Sequence, residues 1–186
     1  MKILVLSGSL RAGSFNTMLA HRIVLIRPDH EITVRNDLGN IPFFDADDEA
    51  KSVPAEVARL REEVDACQLL IFTTPEYNCT TPGLVLNAVE WLSRPHHDAV
   101  LSLKPTLVLS ASPTRGGGRR SAEHLRQVLT RIGADVSPHG VSIPQAHHHF
   151  ANTESKNARM VDDDLRGVLD SAIEDALIAR KGQLVP

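Results

Sequence analysis

Short apolar runs alternate with stretches whose apolar residues recur at helical spacing. Lys2 to Ser7 is the first run, and its lack of polar alternation predicts a strand covered on both faces. Ser14 to Arg27 predicts a helix, with Phe15, Met18, Leu19, Ile23 and Ile26 on one side and Pro28 as its stop. Glu31 to Leu38 predicts a weaker strand, Asn40 to Ala50 an acidic loop, and Val53 to Asp65 a second helix. Gln68 to Thr73 is a third strand, Thr74 to Pro82 a polar loop, and Gly83 to Ser93 a third helix. Pro105 to Ala111 is a fourth strand, and Ser112 to Gly118 a glycine-rich loop. Arg119 to Ile132 follows as a helix ended by Gly133. Either Ala134 to Val136 or Val141 to Ile143 supplies a fifth strand. His147 to His149 and Asn152 to Asn157 read as loop, and Asp162 to Arg180 as a long last helix.

Strands and helices thus alternate without repeats or a linker across residues 1–186, which predicts one α/β domain. A five-stranded parallel sheet in the flavodoxin-like order 2-1-3-4-5, with helices on both faces, is the expected architecture.

Composition narrows the function. The 186 residues suffice for one core, and a net charge of −3 gives no reason to expect nucleic-acid binding. The two cysteines, Cys67 and Cys79, lack metal-ligand spacing and suit a reducing compartment. The apolar start Ile3 to Leu6 is too short for a signal peptide, and no run has the length of a membrane span. The reading is a cytoplasmic protein that does not engage membranes.

Ligands of such a sheet bind beyond the carboxyl ends of the strands, where strand order reverses. The loops after strands one, three and four therefore carry the chemistry. The first, Ser7 to Asn16, joins a buried strand to a helix N-terminus, with Gly8, Gly13, Ser9, Ser14 and Arg11 among its residues. Unpaired helix-terminal N–H groups and one positive charge suit a phosphate. A plain turn capped by Ser14 is equally compatible. The loop is not a triphosphate-binding loop, because Ser14-Phe15 stands where Lys-Ser/Thr is needed, and it lacks G-x-G-x-x-G. The second loop, Thr74 to Gly83, is stiffened by Pro75 and Pro82 and carries the only tyrosine, Tyr77. It either borders a flat heterocycle or is a capped connection. The third holds Gly116, Gly117 and Gly118, useful where a planar ligand nears the main chain, or simply flexible.

Together these segments resemble the NADPH-dependent FMN reductase family. Gly8-Ser9-Leu10-Arg11-Ala12-Gly13-Ser14-Phe15-Asn16 is similar to its first signature. Pro75-Glu76-Tyr77-Asn78, Pro82-Gly83, Asn87-Ala88 and Trp91-Leu92-Ser93-Arg94 are similar to its second. Ser112, Gly117, Gly118, Arg120 and His124-Leu125-Arg126 are similar to its third. The look is that of the bacterial chromate and quinone reductases, shared also by Ile41 to Asp47, and it runs from residue 2 to about 135. Leu86, Glu90 and Thr114 depart from residues common in the family.

The resemblance implies bound FMN and NADPH or NADH as electron donor. It implies that Ser9, Arg11, Ser14, Phe15 and Asn16 hold the FMN phosphate. Glu76, Tyr77 and Asn78, with Pro75 and Cys79, would border the ribityl chain and ring. Ser112, Gly117 and Gly118 would flank the ring from the other side. Hydride then passes through FMN to a small acceptor such as a quinone, chromate, azo compound or free flavin, with no catalytic side chain and no metal. A homodimer or homotetramer is implied, and the third helix, apolar on nearly every side, agrees with one; complete burial within the monomer also covers it. Arg115, Arg119 and Arg120 either attract a nicotinamide 2′-phosphate or form a solvated helix start, the plainer reading. The three histidines read as a surface loop. The alternative function is a flavodoxin-type electron carrier or a flavin-binding sensor without NAD(P)H turnover.

Overall fold

The computed structural model describes residues 1–151, 159–160 and 163–181. The apolar runs form β1 (Lys2–Ser7), β3 (Leu69–Thr73) and β4 (Pro105–Ala111), and β2 is Glu31–Arg35. With β5 (Asp135–Val136) they pair in parallel in the order β2-β1-β3-β4-β5. Alternate residues of each central strand feed separate cores. Leu4, Leu6, Leu70, Phe72 and Val108 meet α3 (Ala55–Ala66), α4 (Gly83–Leu92) and α5 (Arg119–Arg131). Ile3, Val5, Ile71, Leu107 and Leu109 meet α1 (Phe15–Ile26) and α6 (Asp163–Lys181). Two buried faces explain why these strands are apolar throughout. The architecture is the flavodoxin-like one that the alternation predicts.

The differences are local. β2 stops at Arg35, and Leu38–Asn40 forms a 3-10 turn. The expected acidic loop contains a short helix, α2 (Ala46–Lys51), with the Asp45 carboxylate accepting from the Asp47 N–H at 2.8 Å. The three acidic residues of its first turn complement the helix dipole, a signal the sequence reading passed over. Both candidates for the fifth strand are used. β5 (Asp135–Val136) pairs with Pro105 and Thr106, and β6 (Ser142–Ile143) with Ser110 and Ala111. Between them Gly140 lies so near β4 that a Cβ would stand 2.6 Å from the Val108 carbonyl. Residues 144–151 are not plain loop. They make a second 3-10 turn (Ala146–His148) and the strand β7 (Phe150–Ala151), antiparallel to β8 (Arg159–Met160). The expected loop over Asn152 to Asn157 lies outside the described residues.

Burial inside the monomer covers most of α4. Val85, Ala88, Val89, Trp91 and Leu92 are buried, and Leu84 and Leu86 are half-buried. Trp91 donates to the Pro42 carbonyl at 2.8 Å and meets the Phe44 ring edge-on at 5.0 Å. No helix among the described residues is long and apolar enough to cross a membrane.

Candidate cofactor site

At Gly8 the chain leaves β1, its N–H still donating to the Thr73 carbonyl at 2.8 Å. A Cβ there would stand 2.5 Å from Val85 Cγ2, so α4 leaves room for glycine alone. The loop that follows is tightened by its own hydroxyls. The Ser7 and Thr17 hydroxyls lie 2.8 Å apart, Ser9 Oγ accepts from the Arg11 N–H, and Ser14 Oγ accepts from the Thr17 N–H. Ser14 therefore caps α1, and it leaves the Phe15 and Asn16 N–H groups without an intrahelical acceptor. Ser9 and Ser14 are buried, while the Arg11 side chain is exposed and has no carboxylate partner among the described residues.

Two residues of this loop are occupied by the protein itself. Phe15 belongs to the core, its ring centroid 6.1 Å from that of Phe150. The Asn16 amide, 2% exposed, donates to the Ala111 carbonyl and accepts from the Ala111 N–H, both at 2.9 Å.

The second loop is a tight turn. Tyr77 and Thr80 exchange main-chain hydrogen bonds, and Asn78 and Cys79 between them both have positive φ, 52° and 61°. Asparagine tolerates that region, whereas cysteine is strained there by about 1 kcal/mol. The first turns of α5 hold the loop in place. Ser121 Oγ donates to the Pro75 carbonyl at 2.8 Å and lies 3.0 Å from Thr74 Oγ1, and its own carbonyl accepts from Thr81 Oγ1. Thr80 Oγ1 lies 2.7 Å from His124 Nδ1, and the Arg120 guanidinium reaches Cys79 Sγ. The Glu76 carboxylate accepts from the Arg120 N–H at the N-terminus of α5, where Gly118 offers no capping side chain. Tyr77 is left half-exposed at the rim.

In the third loop the Ser112 hydroxyl pairs with that of Thr114 and accepts from the Thr114 N–H. Gly117 and Gly118 are buried with φ of 63° and 83°. A Cβ on Gly117 would stand 2.8 Å from the Ile143 carbonyl carbon, and one on Gly118 3.0 Å from Ser110 Cβ. Their lack of side chains thus serves close approach to β6 and β4, and of the three glycines only Gly116 would take a Cβ without a clash.

The structure brings all three loops together at one end of the sheet. Loop one and loop three are joined by Asn16, and loop two is bound to α5. Sequence reasoning missed Ser121, Thr74, Thr81 and the Thr80–His124 pair. A signal existed for one of them: Ser121 stands four residues before Leu125, inside the apolar stripe of α5. His147 and His148 stack at 4.0 Å on the turn after β6. A cavity of about 820 Å³, lined by Arg61, Asp65, His97 and Lys104, opens where β3 and β4 begin, away from the three loops.

The crest fits a phosphorylated flavin. No carboxylate occurs from Ser7 to Asn16 or from Ser112 to Gly118. The one acid of loop two, Glu76, is turned onto α5. An anion at the first turn of α1 therefore meets open N–H groups and Arg11, with no neighbouring negative charge in its loop. The comparisons name the same cofactor. A family description, NADPH-dependent FMN reductase, matches residues 1–148. An NAD(P)H-dependent FMN reductase of Pseudomonas aeruginosa is 36% identical over 178 residues, covering 94% of this chain and 92% of the relative. A quinone reductase of Escherichia coli is 38% identical over 138 residues, 73% of each chain. Among solved structures, the flavoenzyme NAD(P)H:acceptor oxidoreductase FerB of Paracoccus denitrificans superposes with a TM-score of 0.81. It is 26% identical, with 94% of this chain and 96% of that one covered. The chain belongs to the NADPH-dependent FMN reductase family. Its cofactor is FMN and its electron donor NAD(P)H.

Proposed function

We propose that this chain takes electrons from NAD(P)H and delivers them, through FMN held at the loop crest, to a small acceptor, a quinone in the first place. The observation that carries the placement is loop one: an unpaired Arg11 beside the open first turn of α1, with no carboxylate in the segment. FMN, when bound, supplies the two-electron chemistry. The chain binds and orients. Arg11 and the N–H groups of Phe15 and Asn16 hold the phosphate, and the Ser9 and Ser14 hydroxyls fix the loop that presents them. Pro75, Glu76, Tyr77, Asn78 and Cys79 border the ribityl chain and ring. Their turn cannot drift, because Ser121 and His124 bind it from behind. Ser112 flanks the other side. Gly117 and Gly118 contribute by keeping the chain close to β6 and out of the site. The reaction uses no side-chain nucleophile and no metal.

Chromate, azo compounds and free flavin are proposed as further acceptors of the same site. Exposed Leu10, Phe43 and Tyr77 on neighbouring loops support assembly as a homodimer or homotetramer, which sedimentation at micromolar concentration tests. Two free cysteines support residence in the cytoplasm.

The deciding experiment is an absorption spectrum of the purified protein after incubation with FMN and desalting, then mixing with NADPH and, separately, with NADH, both without oxygen. Flavin bands that survive desalting and bleach are expected. Bands that resist both nicotinamides would make the protein an electron carrier. Absence of bands would remove the placement of FMN.

A further inference from the structure

The Asn16 amide stands where a sheet rung is missing. In a parallel sheet, the N–H and C=O of one residue face the same neighbour. On one side of β4, Ser110 and Ser112 donate to the Val141 and Ile143 carbonyls of the β6 segment. On the other side, Leu109 accepts from the Thr74 N–H of the chain leaving β3. The next residue facing that way is Ala111. Its rung would need the Thr74 carbonyl and the Glu76 N–H, since alternate residues of the β3 segment face β4, but β3 ends at Thr73 and Ala111 takes neither as its partner. A buried N–H and C=O would be left unpaired at the base of loop three. The Asn16 side chain closes the gap, a primary amide standing in for a peptide group with both bonds at 2.9 Å.

We infer that Asn16 is a positioning residue, which fixes the ring-flanking loop to the phosphate-binding loop, and that its amide does not bind the phosphate. Asn16 and Ala111 are 95 residues apart in sequence, and they join the first turn of α1 to the residue before Ser112. The amide is buried and both its hydrogen-bonding ends are engaged by Ala111, so toward a ligand Asn16 offers its main-chain N–H. Loss of the side chain therefore loosens the seat of the whole flavin rather than the hold on its phosphate. This inference rests on the proposed placement of FMN at the crest.

The test compares FMN with riboflavin, which lacks the phosphate, on wild type and on Asn16→Ala and Asn16→Ser. Dissociation constants come from quenching of flavin fluorescence. The expected result is weakening of both flavins by a similar factor of about tenfold, with the ratio of their affinities within twofold of wild type. A fall in FMN affinity alone, with riboflavin unchanged, would show the amide on the phosphate and overturn the inference. Unchanged affinity for both would overturn it equally. Hydrogen exchange read at the Ala111 amide of the wild-type protein keeps the test independent of whether the variants fold. Protection comparable to that of Leu109 is expected, and fast exchange would refute the clamp. Wild type that binds neither flavin would instead defeat the placement of FMN, while Ala111 exchange still reports on the amide bridge.

Discussion

The arginines that tie the helical flanks together and those of the loop crest differ in how their charge is met. On the flanks, Arg27 pairs with Asp29, Asp170 and Glu174, Arg35 with Asp37 and Glu63, and Arg61 with Glu49. At the crest, Arg11, Arg115 and Arg119 have no carboxylate partner among the described residues, and the Arg120 guanidinium goes to a thiol. A guanidinium bound to a carboxylate holds two elements together. One left alone holds field in reserve for an incoming anion. The same residue type therefore serves the fold in one region and ligands in the other.

Substitutions break the comparison from both sides, and the largest effect belongs to the flank. Arg35 is buried, and its fork links β2 to α3. Arg35→Met is expected to cost about 2 kcal/mol in urea unfolding, less than a fully buried pair because its carboxylates are partly exposed. FMN affinity of the folded variant should not change. The Arg35 guanidinium, hydrogen-bonded to Asp37, holds that carboxyl below the usual carboxylate range. A depressed folded-state pKa gives stability that is present above the unfolded value of about 4 and is lost as pH falls through the lower folded value. The urea midpoint of wild type should therefore drop over that acid range more steeply than that of Asp37→Asn.

At the crest the order reverses. Arg11→Ala should raise the dissociation constant for FMN about tenfold, the worth of one charge-assisted contact, and leave the urea midpoint in place. Removing Arg115 and Arg119 together should raise KM for NADPH about threefold and leave NADH unaffected, since a partly solvated charge contributes little. Equal effects on both nicotinamides would return these arginines to a solvated helix start. The smallest effect is expected at Cys79. Glycine relieves the positive φ but widens the unfolded ensemble, so Cys79→Gly should gain about 0.5 kcal/mol by thermal unfolding.

Most of the fold was legible because β1, β3 and β4 are buried on both faces and so read as solid apolar runs. The fifth strand was ambiguous for a physical reason. Pro138 and Gly140 break it into two pieces of two residues, too short for any period to register. The candidate site was legible in its loops and less so in its details. Spacing marks Asn16 as part of loop one. Only the end of β3 at Thr73 reveals which partner its amide takes. Ser121 was hidden differently, since a serine in an apolar stripe becomes meaningful only when Pro75 is seen to lie against it. Gly117 and Gly118 suggested room for a ligand, but the crowding that demands glycine comes from Ile143 and Ser110.

The split of that last strand also bears on how the protein behaves in a crowded solution. The border of a sheet is a template on which another chain can add itself, and long flat borders seed aggregates. Here one border is broken after every two residues and folded tightly against β4 at Gly140, so among the described residues it presents no continuous row of free peptide groups. The opposite border, β2, carries Glu31 at its start and the ion-paired Arg35 at its end. A change that straightened residues 137–141 into regular strand would lengthen the template, and the expected sign of trouble is insolubility during expression rather than loss of redox activity.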